Sequence, residues 1–136
     1  MRVFRSMDIG ASGLTAERLR LDIIASNLAN AQSTRTADGE AFRRKLPVFA
    51  ESQVAPAGMP GGVRVAAVVD DPSPLKRVYD PSHQDADEDG YVLMPNVEVI
   101  REMVDMVTAT RAYEANATVI SASKSLASKA LEIGRG

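Results

Sequence analysis

The stretch Asp85–Asn96, DADEDGYVLMPN, admits two readings that lead to different folds. Aspartates at positions 85, 87 and 89 followed by Gly90 match the opening half of a calcium loop, where alternate carboxylates close on the ion and glycine makes the sharp turn. The closing half does not match. With Asp85 as the first position, the twelfth is Asn96 instead of a bidentate glutamate, Pro95 stands beside it, and Pro81 lies too close upstream for an entering helix. We therefore read an acidic turn, in which Gly90 takes positive φ, the carboxylates stay in water, and GYVLMPN feeds a long helix. The reading it displaces is a calcium-responsive helical adaptor built on Asp85–Gly90.

Downstream, Val97–Ile133 contains neither Gly nor Pro and is rich in Ala, Met, Glu and Lys. Asn96 is an N-cap expected after Pro95, Glu98 sits in the first turn, and Gly134 is the expected stop. One apolar seam runs through positions 99, 103, 106, 110, 113, 117, 120, 124, 127 and 131. A second runs through Ile100, Val104, Val107, Ala115, Val119, Ala122, Leu126, Ala130 and Ile133. The other end of the chain repeats the design: Phe4, Met7, Ala11, Leu14, Leu21, Ala25 and Leu28 recur at spacings of three and four, with Arg18 the one interruption. Gly10 and Gly13 cost about 1 kcal/mol each relative to alanine, so residues 1 to 12 are held loosely unless something packs on them. The helix is expected to fade after SNLANAQS, where Asn27, Asn30 and Ser33 compete for backbone hydrogen bonds.

Between these helices, LPVFAES, GVRVAAVV, KRVYD and GYVLM are short β-branched or aromatic runs separated by Gly/Pro/Asp-rich turns. The expected fold is mainly α with a small β-rich middle (α+β): two long terminal helices pairing as a coiled-coil-like unit, with short antiparallel strands between them. The segments are 1–33 (N-terminal helix), 34–95 (β-rich middle, with mobile loops at 54–62 and 80–90) and 96–136 (C-terminal helix).

Composition narrows the function. The chain has 136 residues, 45% of them hydrophobic, with three Phe, three Tyr, no Trp and six Met, which suits one domain with an aliphatic helical core. A charge of -2 with no concentrated Lys/Arg argues against nucleic acid. Cysteine is absent, which removes disulfides, thiolate catalysis and most zinc sites. His83, the only histidine, reads as a polar turn residue. Glu102 and Asp105, at i, i+3, read as an exposed helix face instead of an acid/base pair, and Arg111 and Glu114 as a weak surface pair. No catalytic, cofactor-binding or metal-binding residue is expected, and the chain does not read as an enzyme. There is no Sec-type signal peptide and no membrane-inserting segment.

A helix of some 37 residues is about 55 Å long and the N-terminal one about 40 Å. The middle segment is too small to cover both. Pairing the helices leaves Leu19, Ile23, Val104, Val107, Val119, Leu126 and Ile133 facing water, roughly 10–20 kcal/mol of burial unused. An ordinary bundle with the middle laid over the second flank, or a two-stranded dimer, would use part of it; assembly with several neighbours uses all of it.

Two stretches carry a resemblance. SGLTAERLRLDIIASNLANAQSTRTADGEAFRRK (12–45) resembles the N-terminal motif of bacterial flagellar rod, hook and related axial proteins. YDPSHQDADEDGYVLMPNVEVIREMVDMVTATRAYEANATVISASKSLASKALEIG (79–134) is similar to their C-terminal motif in its proximal-rod form. Together they cover about two thirds of the chain, and ASNLANA, DPSHQDADEDGYV, PNVEVIREMVDM and RAYEANATVI in that order are specific. The one departure is NAQSTRT, where the group more often has an Asn-Thr pair, and it bears on the helix exit alone. The resemblance implies a structural subunit of the basal-body rod, the shaft crossing the periplasm. It would be exported without a cleavable signal by the flagellar type III apparatus. Its partners would be copies of itself, other rod proteins and the protein joining rod to MS ring. The interface residues it implies are Leu14, Leu21, Ala25, Asn27, Leu28 and Asn30, with Met103, Met106, Arg111, Tyr113, Asn116 and Ile120. The second flank adds Val107, Val119 and Leu126.

Overall fold

The computed structural model describes residues 2–53, 59 and 61–136. A 28-residue helix, α1 (Arg2–Ala29), is followed by β1 (Lys45–Glu51), β2 (Val63–Asp70), β3 (Lys76–Tyr79), β4 (Tyr91–Met94) and a 37-residue helix, α2 (Val99–Arg135). The fold is thus the expected α+β arrangement, with the two helices forming an antiparallel hairpin.

α1 continues unbroken through Gly10 and Gly13 because those residues are where α2 comes closest. A Cβ on Gly10 would lie 2.9 Å from Ile120 Cγ1, and one on Gly13 would lie 2.7 Å from Asn116 Nδ2. The packing that the sequence required for this end of α1 is supplied by α2, and the missing side chains are what let the backbones approach.

The period of the seams is as expected, but their phase is not. The buried face of α1 holds Gly10, Gly13, Ala16, Ile23, Ile24 and Asn27, of which Gly10, Gly13 and Asn27 meet α2, whereas Phe4, Ala11, Arg18 and Ala25 are exposed and Met7, Leu14, Leu21 and Leu28 are half-buried. Ile23, expected in water, is buried; Leu19 is exposed as expected. On α2 the inward positions are Glu102, Ala109 and Ser123, flanked by half-buried Met106, Asn116, Ile120 and Ala127, while Val99, Met103, Thr110 and Leu131 face out. At about 100° of helix per residue, the inward face is turned by about one residue from the apolar seam on α1 and by about half that on α2, where Met106, Ile120 and Ala127 of the seam stay half-buried. Small residues win because close backbone approach multiplies dispersion contacts along the whole hairpin.

Two helix boundaries also differ. Asn96 does not cap α2: the cap position is Glu98, without a side-chain cap bond, and the Asn96 amide is engaged in the middle segment. Gly134 does not stop the helix, which runs to Arg135 with Gly136 as its C-cap.

The four strands pair as two separate antiparallel ribbons. β1 and β2 run from Lys45 opposite Asp70 to Glu51 opposite Val63, with an irregularity between Val48 and Phe49. β3 and β4 run from Lys76 opposite Met94 to Tyr79 opposite Tyr91. The link between the ribbons, Asp71-Pro72-Ser73-Pro74, has two residues that lack an N–H and cannot extend the ladder. The first ribbon rests on α1, where Gly62 packs on the Ser12 side chain and Val63 N donates to Ser12 Oγ at 3.0 Å. In the second, Tyr79 and Tyr91 meet edge to face at 5.3 Å and the Arg77 guanidinium lies 4.0 Å over the Tyr91 ring. The expectation of disorder at 54–62 falls largely on 54–58 and 60, outside the described residues.

Candidate interaction surface and the polar joint beneath it

The turn that opened the sequence reading is built from its own carboxylates. Gly90 has φ +83, as expected. The carboxylates, however, do not all stay in water. Asp85 accepts from Thr34 Oγ1 at 2.8 Å and from the Arg35 guanidinium. The Thr34 hydroxyl first and Arg35 second hold its carboxyl below the ordinary range, against the opposing effect of burial. Asp87 Oδ1 accepts from the amides of Asp89 at 3.0 Å and Tyr91 at 2.8 Å, fixing the entry to β4. His83 Nδ1 accepts from Asp85 N at 3.0 Å, a turn role. These carboxylates point at different donors, and among the described residues no group of three or more metal-ligating side chains converges.

Beneath the ribbons lies a joint that the sequence reading missed. Arg44, just before β1, donates through Nε to Glu102 Oε1, through Nη1 to Asp71 at 3.3 Å and through Nη2 to Asp105 at 3.2 Å. Glu102 is 0% exposed, and its second oxygen accepts from Asn27 Nδ2 at 3.2 Å. Asn27 also closes on the Lys45 backbone in both directions at 2.9 Å. Asn96 Oδ1 accepts from Arg44 N at 2.8 Å while its amide donates to the carbonyls of Asp71 and Ser73. Five chain segments meet here: the end of α1, the starts of β1 and α2, the exit from β2 and the exit from β4. Burial opposes the Arg44 charge, but the Glu102 bond and the Glu102, Asp71 and Asp105 carboxylates outweigh it and raise its pKa. Hydrogen bonds from Ser73, then Arg44, hold Asp71 below the ordinary carboxylate range.

Glu102 and Asp105 are therefore not the exposed pair that the sequence suggested. Both Glu102 oxygens are occupied, so the arrangement holds structure together. One signal in the sequence pointed here: Glu102 is in phase with Ala109 and Ser123, so any close-packed α2 buries it and must find it a cation.

The implied interface residues divide into two groups. Ala25, Met103, Val107, Arg111, Tyr113, Val119 and Leu126 are exposed, while Leu14, Leu21, Leu28, Asn30, Met106, Asn116 and Ile120 are half-buried. Asn27 is consumed within the chain. Asn30, by contrast, ends α1, donating to Ser26 O at 2.9 Å. No ion pair joins Arg111 and Glu114 among the described residues. Exposed aliphatic side chains occur on several sides of α2: Ile100 (75% exposed), Val104 (59%), Val107, Val119, Leu126 (62%), Leu131 and Ile133 (82%). Among the described residues no helix is long and apolar enough to cross a membrane.

Known proteins resemble this chain at both ends and along its length. Residues 7–35 match a family described as flagella basal body rod protein, and residues 88–133 match one described as flagellar basal body rod FlgEFG protein C-terminal. The flagellar basal-body rod protein FlgC of Borreliella burgdorferi is 45% identical over the whole of both chains. The proteins of that name from Bacillus subtilis and Escherichia coli O6:H1 are 43% and 44% identical, each over 99% of this chain and all of the relative.

Proposed function

We propose that this chain, which belongs to the FlgC family of flagellar basal-body rod proteins, builds the rod by packing both of its helices against those of neighbouring subunits. It is a structural component of the basal-body rod. The observation that carries the finer reading is the aliphatic surface of α2. A helix that is apolar beyond the face it packs is a helix with further neighbours. Ile100, Met103, Val104, Val107, Val119, Leu126 and Ile133 are each about half or more exposed. At about 1.5–3 kcal/mol per large side chain fully buried, covering them is worth roughly 6–13 kcal/mol. Met103, Val107, Val119 and Leu126, four of the implied interface residues, lie on this surface.

In this reading the subunit polymerises into the drive shaft that transmits torque, the ribbons decorate its outside, and copies of the chain, other rod proteins and the rod-to-MS-ring junction protein cover the helices. The chain reaches the periplasm through the flagellar type III apparatus. A calcium-responsive adaptor has no observation in its favour, since Asp85 is turned to Thr34 and Arg35 and Asp87 to backbone amides.

Val119→Asp tests the assignment. Val119 is exposed, so the variant keeps the circular dichroism of the parent, but a carboxylate cannot be buried unpaired between subunits. Cells carrying it as their only copy should not swim; normal swimming overturns the reading.

A further inference from the structure

The closest approach between the helices is made largely of small and polar groups, Gly10, Gly13, Asn27, Glu102, Asn116 and Ser123, with Ile120 packed on Gly10, while Ile100, Val104, Val119 and Leu126 are exposed. With apolar groups both inside and outside the hairpin, hydrophobic packing alone does not select one register. Two polar bonds connect α1 to α2 near the two ends of the hairpin: Ser6 Oγ to Ser123 Oγ at 3.0 Å, and Asn27 Nδ2 to Glu102 Oε2 at 3.2 Å. Ser6 and Asn27 are 21 residues apart, as are Glu102 and Ser123, so both pins occupy the same heptad position three heptads apart. Gly13 against Asn116 is the layer between them on that spacing.

We infer that the Asn27–Glu102–Arg44 cluster and the Ser6–Ser123 pair are specificity determinants. They hold α1 against α2 in one register among those that the apolar faces would allow. An α2 slipped by a turn would bury the Glu102 carboxylate away from the Arg44 guanidinium, which the Asn27–Lys45 bonds hold at the end of α1, and an unpaired buried charge is strongly disfavoured. The same rule acts in coiled coils, where one buried polar residue fixes register at some cost in stability. The inference is independent of what the assembled subunit contacts.

Because the chain has no cysteine, disulfide trapping reads register directly. Gly13→Cys with Asn116→Cys reports the native register, and Gly13→Cys with Ile120→Cys, combined with Asn116→Ala to make room for the new side chain, reports a slip of one turn. Each pair is oxidised in the full-length chain over a range of concentrations. In the parent background the first pair should close within the chain and the second hardly at all. The background variant is Arg44→Met/Glu102→Leu, which keeps Asn27 because it also holds the Lys45 backbone. Replacing the ion pair by apolar groups should preserve helicity, while the slipped disulfide rises at least about tenfold. Ser6→Ala/Ser123→Ala, which buries no charge, should give a smaller rise of the same kind. Unchanged disulfide patterns in both variants overturn the inference. So does loss of helicity in Arg44→Met/Glu102→Leu, because the cluster would then supply stability instead of fixing register.

Discussion

Replacing Arg44 by alanine gives the sharpest test of the joint. The substitution removes the guanidinium but leaves Glu102, which has no solvent exposure and retains one neutral donor, Asn27. Asp71 keeps its Ser73 bond and Asp105 is partly solvated, so neither adds much to the loss. The dominant effect is one stranded buried carboxylate, for which about 3–5 kcal/mol is typical. That is a large share of the roughly 5–15 kcal/mol that holds a domain of this size together. Urea unfolding followed by circular dichroism, with a slope of about 1–3 kcal/mol/M, should show the midpoint falling by roughly 2 M. Arg44→Met/Glu102→Leu, which removes both partners, should recover most of the loss, separating a stranded charge from lost packing. If Arg44→Ala costs under about 1 kcal/mol, as an exposed ion pair would, the cluster is not desolvated as described and the reasoning fails.

Three further outcomes follow from the geometry. Gly13→Ala gains about 1 kcal/mol of helix propensity but drives a methyl to 2.7 Å from Asn116 Nδ2, an overpacking worth about 1–3 kcal/mol; the variant should melt lower, and adding Asn116→Ala should reverse the sign. Gly90→Ala combines φ +83 with a 2.9 Å approach to Tyr79 Cε2, whereas Gly39→Ala has φ +81 and nothing within 4 Å, so thermal melts should show the larger loss at Gly90. Asp71 and Asp85 have folded pKa values below 3.8, so the stability they give is present above that value and is lost as pH falls through their folded values; Asp71→Asn and Asp85→Asn should each flatten the acid limb of an unfolding titration.

The order of elements, the four strands and the period of both helices are legible in the sequence because each is a local matter of propensity and spacing. The phase of the helices is not, and the reason is specific. Both flanks of α2 are apolar, so the pattern offers more than one inward face, and the choice among them rests on close approach at Gly10 and Gly13. A sequence read for hydrophobicity counts those glycines as weaknesses. Asn96 illustrates the same limit: as a residue after proline it reads as a cap, but three partners far away in the chain, the amide of Arg44 and the carbonyls of Asp71 and Ser73, outbid the single amide a cap would satisfy. Arg44 itself carries no local mark in AFRRKLPVF; only the folded chain sets it beside Glu102. The exposed valines and leucines of the second flank were readable, since nothing within one molecule was large enough to cover them.

The joint has a mechanical consequence. Its bonds are directional, and those at Glu102 and Asn27 are shielded from water, so the angle between hairpin and ribbons has little gradual range of adjustment: tilting one against the other strains the Arg44, Asn27 and Asn96 bonds together, and at the buried carboxylate no solvent is at hand to replace them. Such a knuckle is stiff up to a yield point and then gives way all at once, brittle where a greasy contact would creep. Any sideways load reaching the ribbons is thus passed into the long helices undamped.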